Sequence, residues 1–305
     1  MADAIVLVAH GSPDAPAEVA EYLGNVTSGR ALPAEAIAEI QHRYERIGRS
    51  PLRKITEQQA GLLRQRVSLP VYVGMRNWTP YIRDAVVQMI SEGVTRAAVI
   101  CMAPHNSRTS VGLYKRAVET AAADKLGIEF VESWHDHPLL IRAFAEKLKA
   151  ALEAANARSS PVIFTAHSVP ERTIREGDPY AAQARETAEL VAAHVPQIHC
   201  WRLAFQSQGM SGGAWIGPTV EETILALKRE GHSNALLQPI GFLCDHVEVL
   251  YDIDIVFKEF ARRHGMELRR TESLNDSPLL ADALADLAQH ALATSPRAHA
   301  RAEKT

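Results

Sequence analysis

Cysteine is scarce in this chain. Three occur in 305 residues, at positions 101, 200 and 244. An odd number at wide spacing argues against a disulfide framework and suits a reducing compartment. It leaves no four-thiolate set for an iron–sulfur cluster and no paired spacing for a structural zinc site. Long hydrophobic runs are missing too, none approaching the ~20 apolar residues that span a bilayer. The opening MADAIVLVAHGSP has no basic lead-in and too short an apolar stretch for a secretory signal. A cytoplasmic protein without a membrane anchor is therefore expected. Positive charge is not in excess: the net charge is -3, with no basic footprint for nucleic acid. The Gly-rich GMSGG (209–213) lacks a following Lys-Ser/Thr, and no dinucleotide fingerprint follows the first apolar run. Nucleotide binding is not expected.

What is present is ordinary globular material, 47% hydrophobic and 23% charged. The length suits two domains. Short apolar runs alternate with longer amphipathic stretches. AIVLVA (4–9), VYVGM (71–75), AAVICM (97–102) and EFVES (129–133) read as buried strands. PVIFTA (161–166), HCWRLAF (199–205), ALLQPI (235–240) and ELRRT (267–271) repeat the rhythm. Helical patterns fall near 34–47, 56–66, 79–92, 109–123, 139–157, 181–194, 219–230, 246–263 and 278–294. Strands alternating with helices predict an α/β protein of parallel sheets built from βαβ units. Eight strands in two sets of four predict two Rossmann-like lobes: residues 1–150 with a lip over a cleft, and residues 151–275. A last segment, 276–305, holds a helix and a tail expected to be disordered, because ATSPRAHARAEKT has little to bury. NVTSGRALP (25–33) and QSQGMSGGAWIGP (206–218) read as loops, the first over the cleft.

One phrase occurs twice. AHGSP (9–13) and AHSVP (166–170) each follow the first strand of a half. In open α/β sheets, ligands bind beyond the carboxyl ends of the strands, so His10 and His167 are both candidates. A lone strand-end histidine is more often a turn residue bonded to backbone. A second feature shifts the balance. In CDHVEVLYDID (244–254), Asp245, Glu248 and Asp252 share one helical face among apolar neighbours. Carboxylates in such a setting are costly unless paired or used. A histidine and a carboxylate converging across one cleft can take protons or hold a divalent metal.

At these residues the sequence resembles the ferrochelatases, over nearly the whole chain. The matching phrases are YERIGRSPLRKITEQQA (44–60), TAHSVPERTIREGDPY (165–180), WIGPTVEETI (215–224), DHVEVLYDIDI (245–255) and ESLNDSP (272–278). The resemblance implies the two-lobed chelatase fold and insertion of ferrous iron, a substrate, into a porphyrin during haem synthesis. No resident prosthetic group is implied. It also implies a catalytic pair of His167 and Glu248, both on the metal side, and a porphyrin-clamping wall at Trp215, which could equally be an ordinary packed aromatic. Arg30, Arg43, Tyr44, Ser50 and Tyr114 match positions that meet substrate propionates. His10 sits in a VAHGS phrase resembling the sirohydrochlorin cobaltochelatases, where a strand-end histidine binds metal. It is either a metal ligand or a turn cap. Asp14 stands where soluble members carry a tyrosine. The acidic ladder runs from Glu248 to Asp252 and stops at Val256, where members usually carry another acid. The polar lip and missing anchor match soluble members, which use coproporphyrin III. A monomer acting on that porphyrin is expected. Protoporphyrin IX, a cobaltochelatase reaction and a non-catalytic carrier are the alternatives.

Overall fold

Every apolar run becomes a parallel strand. The computed structural model describes residues 2–154, 160–208 and 213–294. The strands are β1 (Ala2–Ala9), β2 (Val71–Met75), β3 (Val94–Cys101), β4 (Gly127–Val131), β5 (Val162–His167), β6 (Trp201–Gln206), β7 (Asn234–Pro239) and β8 (Glu267–Arg270). The helices are α1 (Val19–Val26), α2 (Ala34–Ile47), α3 (Leu52–Arg64), α4 (Ile82–Ser91), α5 (Val111–Ala122), α6 (Pro138–Ala154), α7 (Glu171–Arg175), α8 (Tyr180–Ala193), α9 (Val220–Arg229), α10 (Lys258–Arg263) and α11 (Pro278–Thr294). A π-helix, Glu248–Phe257, runs directly into α10.

The two sheets have one topology. Their orders are β2-β1-β3-β4 and β6-β5-β7-β8. The first strand of each half is therefore an inner strand, which is why AIVLVA and VIFTA are apolar without alternation. β1 is hydrogen-bonded on both sides, to Val71–Met75 and to the run from Val94 to Cys101. His167 closes β5, and His10 immediately follows β1. The predicted two-sheet parallel architecture stands.

The halves are welded by exchanged helices. α6 follows the first sheet but packs on the second, where the Phe144 carbonyl accepts from Gln238 Nε2 of β7 at 2.8 Å. α11 follows the second sheet but packs on α3, β3 and β4 of the first. One buried cluster thus runs from Ile5, Leu7 and Ile100 through Trp134 and Phe144 to Phe164 and Leu236.

The structure departs from expectation near the lip and at the acidic helix. The stretch before residue 25 holds α1, a helix that the hydrophobic pattern did not announce. It has eight residues, one of them Gly24. Its Val19, Tyr22 and Leu23 pack with Tyr44 and Trp78, so packing rather than propensity makes it a helix. α7 is another short helix not foreseen. The segment expected to be one helix over 246–263 is π-helical for its first part. Residues 209–212 of the glycine-rich loop and the tail from 295 onward, expected to be disordered, lie outside the described residues.

Candidate active site

The carboxyl ends of both sheets open into one cleft of about 630 Å³. A larger, shallower depression of about 780 Å³ runs beside β2 and holds none of the candidate residues. Two glycines make the cleft possible. Gly11 follows His10 with φ +86, and a Cβ there would lie 2.8 Å from Trp78 N. At Gly241 a Cβ would lie 2.9 Å from Ala166 Cα, so only glycine lets the segment after β7 cross the end of β5. That crossing carries residues 242–248 beside His167.

His167 Nδ1 lies 2.9 Å from Glu248 Oε2. Their side chains are 36% and 31% exposed, opening to the cleft. Nδ1–H donates to the carboxylate, which leaves the lone pair on Nε2. Burial acts to lower the His167 pKa. The Glu248 charge, its hydrogen bond and the Asp252 charge override this, and the pKa ends raised. For Glu248, burial acts upward, but His167, His246 and His10 hold the carboxyl down at about 2. The pair is a carboxylate bonded to an imidazole made more basic.

The π-helix aims Glu248 and is itself anchored. Gln206 Nε2 donates to the Glu248 carbonyl at 3.3 Å, and Thr165 Oγ1 donates to Gln206 Oε1 at 3.0 Å. Arg270, 13% exposed, bonds Asp245 before the π-helix at 3.1 Å and Asp254 within it at 2.8 Å. Ser273 and Asn275 of the ESLNDSP phrase complete the grip on Asp245, at 2.8 and 2.9 Å. An α-helix would place Asp245, Glu248 and Asp252 on one face. The structure corrects this: Asp245 turns to Arg270, and i→i+5 bonding carries Glu248 and Asp252 onward without it. Burial and then the Glu248 charge push Asp252 up to about 6, against the Ser207 hydroxyl that donates to it.

His10 lines the same cleft from the other lobe. Its ring is exposed to the cleft space, with the cleft walls on either side. Desolvation between those walls lowers its pKa to about 4, against the pull of Glu248 and with help from Arg76. Asn77 Nδ2 lies 3.3 Å from Nδ1 and 3.2 Å from Nε2. His10 is thus a neutral imidazole in the cleft lining.

Arg30, Tyr44, Ser50, Tyr114 and Trp215 all line this cleft. Arg30 is exposed on the lip. The Tyr44 hydroxyl lies 3.2 Å from Ser12 Oγ, and burial pushes its pKa up to about 12. Trp215 is held at the His167 turn by a bridge to Pro170 and by Ile216 N–H donating to Val169 O at 3.0 Å. Arg43 and Asp252 are outside the cleft lining. The Arg43 guanidinium sits 3.6 Å from Asp252, 3.2 Å from Glu39 and 5.3 Å above the Tyr251 ring. There it ties α2 to the π-helix. Asp14 likewise pairs outward with Arg53 at 2.9 Å.

Several cleft residues carry little signal in the sequence. Arg76, one residue past β2, and His246, two before Glu248, both line the cleft. The strand-end rule that selected His10 would have found Arg76. His246 Nδ1 donates to Cys244 O at 3.1 Å, and burial lowers its pKa. Tyr22 enters from α1, which had no helical signal. His105 and Tyr180 contribute from segments after β3 and at the start of α8.

A ferrochelatase family model matches residues 2–292. The chain belongs to the ferrochelatase family. It is 55% identical to a ferrochelatase of Acidobacterium capsulatum, covering 95% of this chain and 94% of that one. It is 36% identical to the coproporphyrin III ferrochelatase of Geobacillus thermodenitrificans, covering 97% and 98%. Among solved structures it is similar to the sirohydrochlorin chelatase SirB from Bacillus subtilis in complex with cobalt, at TM-score 0.61 and 13% identity, covering 95% of each chain. That likeness concerns the fold, which is the chelatase fold. As a family member the chain is an enzyme. Among the described residues no helix is long and apolar enough to cross a membrane.

Proposed function

We propose that this ferrochelatase-family enzyme inserts ferrous iron into coproporphyrin III, with His167 as proton acceptor and Glu248 as its carboxylate partner. The observation that carries the reading is the 2.9 Å His167–Glu248 pair facing a cleft shared with neutral His10. A porphyrin binds iron only after its inner N–H protons leave. A lone pair on His167 Nε2 takes such a proton, and Glu248 stabilises the imidazolium formed. His10 offers a second lone pair, from the other lobe, to the incoming cation. Its low pKa keeps it from being lost to a proton. Apolar walls, among them Val26, Leu52, Met102, Leu113, Val169 and Phe242, suit a flat macrocycle. Binding energy gathered there supports distortion of the ring at the reacting nitrogens.

The coproporphyrin choice rests on the rim. Arg30 is exposed on the lip, and Thr109 and Ser110 also line the cleft, with Ser50 buried beneath. Such a rim suits a substrate with a carboxylate at each corner. The Geobacillus relative carries the same substrate in its name. The three thiols are unpaired, which fits work in a reducing cytoplasm.

The test is anaerobic ferrous insertion, followed by loss of free-porphyrin fluorescence. Coproporphyrin III and protoporphyrin IX are run side by side, with His167→Ala as control. Faster turnover on coproporphyrin III, abolished in the variant, is expected. Faster turnover on protoporphyrin IX overturns the substrate. Binding without insertion of iron into either overturns the reaction.

A further inference from the structure

Outside the cleft, three potential ligands meet where the lobes join. Ser133, His135 and Asp136 lie between β4 and α6, and Gln183 and Glu186 lie on α8. One ligand atom from each of His135, Asp136 and Glu186 falls within 4.8 Å of the others. His135 Nε2 is 2.9 Å from Glu186 Oε2. The imidazole is 11% exposed, while Asp136 and Glu186 are 60% and 56% exposed. None of the three lines the cleft.

The hydrogen bonds fix which nitrogen of His135 carries its proton. Gln183 Oε1 accepts the Asn106 backbone N–H at 2.6 Å, which sets the orientation of that amide. Ser133 Oγ lies 3.0 Å from the same Oε1 and 3.3 Å from the Pro104 carbonyl. Both are pure acceptors, and a serine has one proton to give. Spending it on His135 would leave Oγ against two carbonyl oxygens, lone pair to lone pair. Ser133 Oγ therefore accepts from His135 Nδ1–H, at 2.8 Å. The lone pair falls on Nε2, which faces a carboxylate oxygen at hydrogen-bond distance. Two acceptors so placed need positive charge between them, either a proton or a metal ion.

The surroundings favour the metal ion. Among the described residues, the only ion-pair partner of Asp136 or Glu186 is His135 itself, Glu186 at Nε2 at 2.9 Å and Asp136 on the Nδ1 side at 4.0 Å. A proton would leave the trio with one uncompensated negative charge, whereas a divalent cation neutralises it. The Ser133 hydroxyl, itself held by Gln183 and Pro104, is the outer-shell support that metal-binding histidines carry. We propose that His135, Asp136 and Glu186 hold a divalent first-row transition-metal ion that bridges the two lobes. One imidazole nitrogen with two carboxylate oxygens suits zinc, iron, cobalt or manganese, and the lack of thiolate disfavours copper(I). The exposed carboxylates leave the remaining positions to water.

Zinc is the probe, because it has no redox chemistry. Equilibrium dialysis counts Zn²⁺ bound to the full chain and to the double variant Asp136→Asn, Glu186→Gln. Both keep the His167–Glu248 pair, so zinc held in the cleft cancels. Porphyrin binding, measured on both, confirms that each is folded. The double variant is expected to bind one Zn²⁺ fewer. Ser133→Ala is expected to keep the site but weaken it about 10- to 100-fold. A zinc-soaked crystal should show anomalous density about 2.0–2.1 Å from His135 Nε2. Equal zinc counts in the two proteins, or no density at His135, overturn the proposal and leave a proton on Nε2.

Discussion

His10 and His167 occupy equivalent places, at the carboxyl ends of the first strands of two sheets with one topology. Their chemistry is opposite. His167 has a carboxylate at 2.9 Å and a raised pKa. His10 has the amide of Asn77, desolvation inside the cleft and the nearby Arg76 charge, and its pKa falls to about 4. Topology places a histidine, but the neighbouring elements decide what it does. Among the described residues, only the second lobe has a π-helix beyond its third strand, and that helix supplies Glu248. In the first lobe the corresponding position is reached by the segment that carries His105.

The comparison can be broken at several points. His167→Ala should have the largest effect, lowering iron insertion about 10²–10⁴-fold while porphyrin binding holds. A similar loss in His10→Ala with normal iron affinity would erase the division of labour. Arg270→Ala strips the anchor from both ends of the π-helix. Breaking that mostly buried network should cost about 3 kcal/mol in chemical denaturation. Glu248→Gln should lower the rate about 10- to 100-fold and also move its pH dependence. Protonated His167 accepts nothing, so activity falls as pH drops through its raised pKa. Without the carboxylate that pKa falls, and the acidic limb moves to lower pH. His10→Ala should raise KM for iron about tenfold, the signature of lost binding. Its acidic limb should stay in place, because His10 is already neutral there. Asp14→Asn should change turnover less than about twofold, since Asp14 makes an exposed pair with Arg53 away from the cleft.

Much of this was legible in the sequence because burial writes a strong pattern. All eight strands were readable, since inner parallel strands are continuous apolar runs. His167 and Glu248 were readable because a strand end and a carboxylate in an apolar helix are both conspicuous. What was not legible depends on contacts distant in sequence. α1 exists because Tyr22 and Leu23 meet Tyr44 and Trp78. The 3.6 Å contact of Arg43 with Asp252 has no mark in the sequence, because the π-helix makes it. The π-helix hid because its apolar spacing also fits an α-helix, while the grip of Arg270 on Asp245 and Asp254 appears only in three dimensions. The exchange of α6 and α11 between sheets leaves no local mark at all.

The most direct measurement is kcat/KM for the porphyrin against pH, for the natural chain, Glu248→Gln and His10→Ala. It reports the groups of the free enzyme. The account predicts an acidic limb above the usual histidine value of about 6.5, displaced downward in Glu248→Gln and unmoved in His10→Ala. A limb that stays fixed in Glu248→Gln, or shifts with His10, would contradict the assignment of proton transfer to the second lobe.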